Sequence, residues 1–351
     1  MAEKVDLRNL TLIRLIRFMA GLGFPEPVAV RVFSALQRAG VTDFSQMTTV
    51  RRDIRFILAD KSVISKLVPL AREQSRDGTQ KFVFRLADGA VIESVLIPEN
   101  GRHTLCVSSQ CGCAMDCGFC LTGRMGFIRN LSPAEIVGQV LAVIDHMRSS
   151  GIKRATPREY VNNLVFMGMG EPLANYDNLL TALAILMDGK GLEFTERRVT
   201  VSTCGLAPRI IDLGRDVRVN LAVSLHAADD HTRSLLMPIN RRYPVDQLLA
   251  ACRSWPLPKK RVILFEYILI RGINDGEKDA RLLAEKLQDI PCRINLLPYN
   301  ESDSLPYERP DDDTVLRFSR ILRRAGFTTI VRSSRGADIS AACGQLASCV
   351  K

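Results

Sequence analysis

The sequence predicts an α/β fold, a partial (βα)6 barrel preceded by a small helical accessory domain. Three observations carry that expectation. From about residue 103, strand-like runs at 103–108, 162–167, 197–202, 217–225, 261–270 and 293–298 alternate with helical stretches, the pattern of βα units on a parallel sheet. Before them, residues 1 to about 75 read as mostly helical, with apolar side chains spaced to share a face at Leu12, Leu15, Ile16 and Met19 and again at Val28, Val32 and Leu36. Between the two regions lie β-rich runs, Phe82–Leu86 and Val91–Ile97, separated by the turn signal Asp88-Gly89.

The expected division is an accessory domain over 1–98, helical with a short β-hairpin, a barrel over 99–335, and a C-terminal tail over 336–351. One barrel helix is clearly signed: Ser132-Pro133-Ala134-Glu135 puts an N-cap serine, a first-turn proline and a capping-box glutamate in sequence. It should run from Pro133 to about His146. Six units are too few for a closed eight-stranded barrel, so the sheet is expected to stay open. No repeat longer than one βα unit and no low-complexity tract is visible.

A chain of 351 residues that is 46% hydrophobic and 25% charged can bury a large core. Charges break up the first residues, and no stretch approaches the ~18 uncharged apolar residues that would span a bilayer. No membrane association and a cytoplasmic location are therefore expected. Ten cysteines in so long a chain read as metal ligands and reactive thiols rather than a disulfide scaffold. The excess of 48 Lys and Arg over 38 Asp and Glu, a net charge of +10, favours a polyanionic partner, whether RNA, DNA or anionic lipid. Basic groups recur at Arg51-Arg52, Arg197-Arg198, Arg241-Arg242, Lys259-Lys260-Arg261 and Arg323-Arg324, although dispersed pairs are also what ordinary solvated faces carry.

The chemistry is concentrated in one loop. Cys113, Cys117 and Cys120 stand in Cys-x3-Cys-x2-Cys order. Three thiolates can hold three irons of a 4Fe-4S cluster, where a ferredoxin supplies four. The open fourth iron can then bind the amino and carboxylate groups of S-adenosylmethionine and pass an electron to its sulfonium, and in this the loop resembles those of radical SAM enzymes. The competing reading is structural zinc, which takes four ligands in paired Cys-x2-Cys units, and no second pair is present. Gly168-Met169-Gly170-Glu171 follows the second strand, Ser202 ends the third, Ser224-Leu225-His226 ends the fourth and Asn300 follows the sixth. All fall at the carboxyl ends of parallel strands, where barrel enzymes build active sites. By pattern alone Cys343 is a spare tail thiol, Glu93 a solvent-facing carboxylate on a β-run and Cys106 a small buried hydrophobe.

Taken together, Cys106–Leu131, Phe166–Asn175, Ser224–His226, Leu236-Met-Pro-Ile-Asn240 and Ala341–Leu346 make the chain resemble the RlmN/Cfr family of radical SAM RNA methyltransferases, nearly end to end. The resemblance implies a radical SAM partial barrel, one 4Fe-4S cluster on Cys113, Cys117 and Cys120, and two molecules of S-adenosylmethionine per turnover. It implies methylation of an adenosine base in RNA: carbon 2 for RlmN, acting on 23S rRNA and tRNA, or carbon 8 for Cfr. By that analogy Cys343 is methylated first. A hydrogen atom is then taken from its methyl group, and the carbon radical joins enzyme to adenine. Glu93 matches the proton acceptor, with proton handling near Cys106 as an alternative route, and Cys106 releases the product by forming a disulfide with Cys343. Gly170, Glu171, Ser202, Ser224, Leu225, His226 and Asn300 match the positions that contact S-adenosylmethionine. A reducing donor such as flavodoxin or ferredoxin and a monomeric state are expected with it. Pro172, where Cfr has alanine, leans toward RlmN, and Cys204 stands where serine is common. A rival of another class is a non-catalytic iron–sulfur RNA-binding redox sensor.

Overall fold

The computed structural model describes residues 4–347; Cys349 and the end of the expected tail lie outside them. The N-terminal part holds β1 (Val5–Asp6), α1 (Leu12–Gly21), α2 (Glu26–Ser34), α3 (Arg52–Lys61) and β2 (Ser62–Val63). Thr11 caps α1 by accepting a hydrogen bond from the Arg14 amide. Leu15 and Met19 of α1, and Val28 and Val32 of α2, are buried where the two helices pack, as their spacing predicts. Arg8 closes this region from within: its guanidinium donates to the carbonyls of Ser65, Leu36 and Val41 at 2.7, 3.1 and 2.8 Å.

The helical character ends earlier than residue 75. β3 (Pro69–Gln74), β4 (Gln80–Arg85) and β5 (Val91–Glu99) form an antiparallel meander. The Asp88-Gly89 turn between the last two closes as its residues require, with Gly89 at φ +86° and its amide donating to Leu86 O. The meander is not separate from the barrel, because β5 pairs antiparallel with β6 (Arg102–Cys106), Val95 lying opposite Cys106. The sheet thus runs straight through the boundary expected at residue 98.

After β6 comes a small ribbon, β7 (Gln110–Gly112) against β8 (Phe127–Asn130), with α4 (Leu121–Arg124) between its arms. Gly112, at φ +68°, allows this closure: a Cβ there would lie 1.8 Å from Gly126 O. The βα units follow, with strands β9 (Asn163–Phe166), β10 (Val199–Thr203), β11 (Asn220–Ser224), β12 (Ile263–Leu269), β13 (Cys292–Pro298) and β14 (Thr328–Val331). The intervening helices are α5 (Pro133–Ser149), α6 (Pro157–Tyr160), α7 (Tyr176–Met187), α8 (Ala207–Asp216), α9 (Asp230–Leu236), α10 (Val245–Arg253), α11 (Glu277–Leu287) and α12 (Asp312–Arg324). The expected capping box starts α5: the Glu135 amide donates to Ser132 Oγ at 3.2 Å and the Ser132 amide to Glu135 Oε2 at 2.8 Å. Spatial order is β14-β13-β12-β11-β10-β9-β6-β5-β4-β3, parallel from β6 to β14.

All six expected parallel strands are present, and β14 adds a seventh at the edge. Its only buried residue is Thr329, so it lacks the apolar run by which the inner strands announce themselves. Leu164, Phe166, Val201, Leu221, Val223, Ile263 and Phe265 show that run, all at or below 1% exposure. Among the described residues no helix is long and apolar enough to cross a membrane.

Candidate active site

The carboxyl ends of β6 and β9–β13 open on one cavity. Cys113, Cys117 and Cys120 line it together with Cys106, Cys343 and Glu171. The cysteine loop is positioned by backbone contacts: the Cys113 amide donates to Gly126 O at 2.9 Å, Gly118 to Leu236 O at 2.9 Å and Cys120 to Cys117 O at 3.0 Å. Asp116 turns it with a left-handed φ of +46°. Burial pushes the Cys113 thiol up to about 12 and the Cys117 thiol well above its ordinary range, and negative charge on Cys120 adds to both.

Cys113 and Cys117 therefore need a cationic partner to be ionised here, and iron is such a partner. Among the described residues no three Cys, His, Asp or Glu side chains converge to hold a single metal ion. A cubane takes one thiolate on each of three irons, so its donor set does not require convergence on a point, whereas tetrahedral zinc does. The donor set fits the cluster.

Glu171 sits beside this loop, 3% exposed. Its Oε1 accepts from the Leu173 amide at 2.9 Å and its Oε2 from the Cys204 amide at 2.7 Å, and its own amide donates to Gln110 Oε1 at 2.8 Å. Burial pushes its carboxyl up, while those amides pull it back toward the carboxylate. Gly170 is required for the close approach, because at φ +94° a Cβ would lie 2.4 Å from the Cβ of Gln110. We expect Gly170→Ala to cost on the order of 3 kcal/mol, from left-handed strain and overpacking together. Thermal denaturation and calorimetric titration with S-adenosylmethionine check this, with a lower midpoint and lost binding as the expected result.

Ser202, one residue before the end of β10, and Ser224, the last of β11, stand at the cavity wall. His226 follows in a left-handed conformation, φ +60°, and is buried. Its Nδ1 accepts from the Ile268 amide at 3.0 Å, which leaves the proton on Nε2. Burial, and then the nearby Arg233, pulls its pKa down to about 3, so the ring stays neutral. It packs edge-on against Phe119 at 4.8 Å. Leu225 does not line the cavity; its amide donates to Glu266 O and its carbonyl accepts from Arg233 Nε at 3.0 Å.

Asn300 links the cavity to the tail. Its Nδ2 donates to the Cys343 carbonyl at 3.4 Å, and Ser334 Oγ donates to its Oδ1. The tail is further held where the Leu121 amide donates to Gly344 O at 2.8 Å and Thr122 Oγ1 to Leu346 O at 2.6 Å. Cys343 thus lines the same cavity as Cys106, which is buried at the end of β6; both thiols are free. Burial raises both, and negative charge on Cys343 raises Cys106 further.

Glu93 is the one expected catalytic residue off the cavity wall. It is 3% exposed rather than solvent-facing, on the β5 face whose next members, Val95 and Ile97, do line the cavity. Burial pushes its carboxyl up and Lys81, with Nζ 4.0 Å away, pulls it down. Among the described residues its Oε2 has no close hydrogen-bond partner, although the Ala347 backbone amide also acts on the carboxyl and pulls it down. Cys111 and Cys252 are buried and Cys292 is half-buried, all three away from the cavity.

Sequence reasoning missed Glu266, which lines the cavity on β12 and accepts from Asn295 Nδ2 at 2.9 Å. The signal was there, a single carboxylate inside Ile263-Leu-Phe-Glu-Tyr-Ile-Leu269. Burial pushes it up to about 7, against the pull of the Asn295 amide. Its folded-state pKa is raised, so its contribution to stability is full below the ordinary range and is lost as pH rises through about 7. Glu266→Gln removes that dependence. Relative to the wild type the variant should gain about 3 kcal/mol between pH 4.5 and 8, read as the difference in denaturation midpoints across that range.

The sequence signature of the radical SAM superfamily matches residues 107–284. The chain is 52% identical over 98% of its length to the "Dual-specificity RNA methyltransferase RlmN" of Desulfotalea psychrophila, covering 95% of that protein. It is 51% identical over 99% of its length to the protein of the same name from Geobacter sulfurreducens, covering 93% of it. A solved radical SAM methyltransferase from Sphaerobacter thermophilus superposes with a TM-score of 0.90 at 43% identity, over 97% of this chain and 98% of that one. With the cysteine loop, the parallel sheet and the two cavity thiols in the places described, the chain belongs to the radical SAM superfamily and, within it, to the family of the RlmN RNA methyltransferases.

Proposed function

We propose that the protein methylates carbon 2 of an adenosine base in RNA, in 23S rRNA and tRNA, through a methylated Cys343. The observation that supports this above all is the meeting, in one cavity, of the three loop cysteines with two further thiols from distant parts of the chain, Cys106 and Cys343. The cofactors are one 4Fe-4S cluster and two molecules of S-adenosylmethionine per turnover, which supply the methyl group and the 5′-deoxyadenosyl radical.

The residues divide the remaining work. Cys113, Cys117 and Cys120 hold the cluster. Glu171 offers its carboxylate to the ammonium of S-adenosylmethionine, with the bare backbone of Gly170 beside it. Ser202, Ser224 and the Nε2–H of His226 offer hydrogen bonds to its ribose and adenine, and Leu225 holds the last two in place through its backbone bonds to Glu266 and Arg233. Asn300 holds the nucleoside and the Cys343 backbone in one register. Cys343 carries the methyl group and its covalent link to the base. Glu93 takes the proton lost from the ring carbon, a carboxyl whose hold on a proton is strengthened by burial. Cys106 then attacks the Cys343 sulfur: the sulfur–sulfur bond forms as the sulfur–carbon bond breaks, the freed carbon takes its electron pair and the thiol proton to become the methyl group of the product, and the unpaired electron of the adduct leaves to a one-electron acceptor, which the cluster would supply. Exposed Arg51-Arg52, Arg241-Arg242 and Arg323-Arg324 suit an RNA backbone. A cytoplasmic monomer reduced by a flavodoxin or ferredoxin completes the reading.

Mass spectrometry of rRNA and tRNA nucleosides tests it. A deletion strain should lose 2-methyladenosine and regain it with the wild-type gene but not with Cys343→Ala. Loss of 8-methyladenosine instead would assign Cfr-like chemistry. Reduced protein that makes no 5′-deoxyadenosine would leave only the sensor.

A further inference from the structure

Arg233, on α9, is a wholly buried positive charge with neutral partners. It is 0% exposed, and its guanidinium donates to Leu225 O at 3.0 Å, Asn240 Oδ1 at 2.8 Å, Cys204 O at 2.7 Å and Ser224 O at 3.3 Å. Four acceptors satisfy its hydrogen bonds without cancelling its charge. The acid that acts on it from nearby, Asp230, turns its Oδ1 to the Asn240 and Val245 amides instead. An uncompensated buried charge costs several kcal/mol, so its counter-charge has to come from elsewhere. The cysteine loop lies directly against the same helix, seated by the Gly118 amide on Leu236 O at 2.9 Å.

We infer that Arg233 is the counter-charge of the iron–sulfur centre, a positioning residue that makes the centre easier to reduce while tying the loops after β10 and β11 together beside it. This rests on the reading that Cys113, Cys117 and Cys120 hold the cluster. A cluster on three thiolates is anionic and gains one more negative charge on reduction, so a fixed positive charge in a low-dielectric wall stabilises the reduced form more. The same guanidinium joins the backbone at Cys204, after Ser202, to that at Ser224 and Leu225, so the two strand ends cannot drift apart.

The test is the midpoint potential of anaerobically reconstituted wild type, Arg233→Lys and Arg233→Gln, followed by the EPR signal of the reduced centre, with iron content measured on each. The glutamine variant, which loses the charge, should titrate at a more negative potential, and the lysine variant, which keeps it, close to the wild type. Equal potentials in wild type and Arg233→Gln, with iron bound in both, would overturn the inference and leave the cluster reading standing. Wild-type protein that takes up no iron would overturn both. If Arg233→Gln does not fold, Arg233→Lys decides alone, because a negative shift with the charge retained rules the assignment out.

Discussion

Cys106→Ala is expected to purify covalently joined to RNA, while Cys343→Ala and the double variant emerge free. Cys106 is 8% exposed at the end of β6, opposite Val95, so alanine there removes one small buried group at a cost of about 1 kcal/mol, and the fold persists. What disappears is the thiol that shares the cavity with Cys343. If Cys343 carries the methylene bridge to the base, no other thiol among the described residues is placed to displace it. The other cysteines lining the cavity are the three assigned to iron and Cys204, whose buried thiol is engaged by the Glu171 carboxylate. A denaturing gel before and after nuclease digestion reads the result: a slow band in Cys106→Ala that collapses with nuclease, and no such band in either variant lacking Cys343. Free Cys106→Ala protein from cells that contain the substrate RNA would show that the two thiols do not divide the work in this way.

The site was legible in the sequence to the extent that its chemistry is carried by local spacing. The Cys-x3-Cys-x2-Cys loop, the Gly-Met-Gly-Glu turn and the Ser132 capping box are short, and each predicts its own geometry. Strand ends were equally readable, because a buried parallel strand is a continuous apolar run and the polar residue that stops it marks the rim. Residues whose importance is set by long-range packing could not be seen so. Glu93 reads as a solvent-facing residue of a hairpin, and only the pairing of β5 with β6 brings it inside. Arg233 reads as one more helical arginine, and only the closure of three loops around α9 buries it. β14 carries no apolar run because its only buried residue is a threonine, and its pairing depends on the neighbour β13. The tail gives no local sign that it returns to the cavity. Its docking rests on contacts more than 200 residues apart in sequence, such as Thr122 with Leu346 and Ser75 with Asp338.

Cys117→Ala is expected to abolish methylation and colour together while leaving the fold intact. The thiol is half-buried in the cavity wall, and its pKa is raised well above the ordinary range by burial first and by the charges of Cys120 and Cys113 next. An apolar methyl is at least as well suited to that place as an ionised sulfur without iron, so the protein lacking metal should lose no more than about 1 kcal/mol. The functional loss is of another order. Changes in the outer shell of a metal site cost roughly 10–100-fold, and removing one of three ligands exceeds that. Carbon 2 of adenine has no lone pair with which to take a methyl group directly, so no slower route is left, and 2-methyladenosine should fall to background. Three measurements on one sample decide the matter: iron content, visible absorption and thermal midpoint. Iron and absorption lost at an unchanged midpoint place Cys117 on the cluster. A variant that keeps its iron, or one that loses iron only because it unfolds, removes Cys117 from that role.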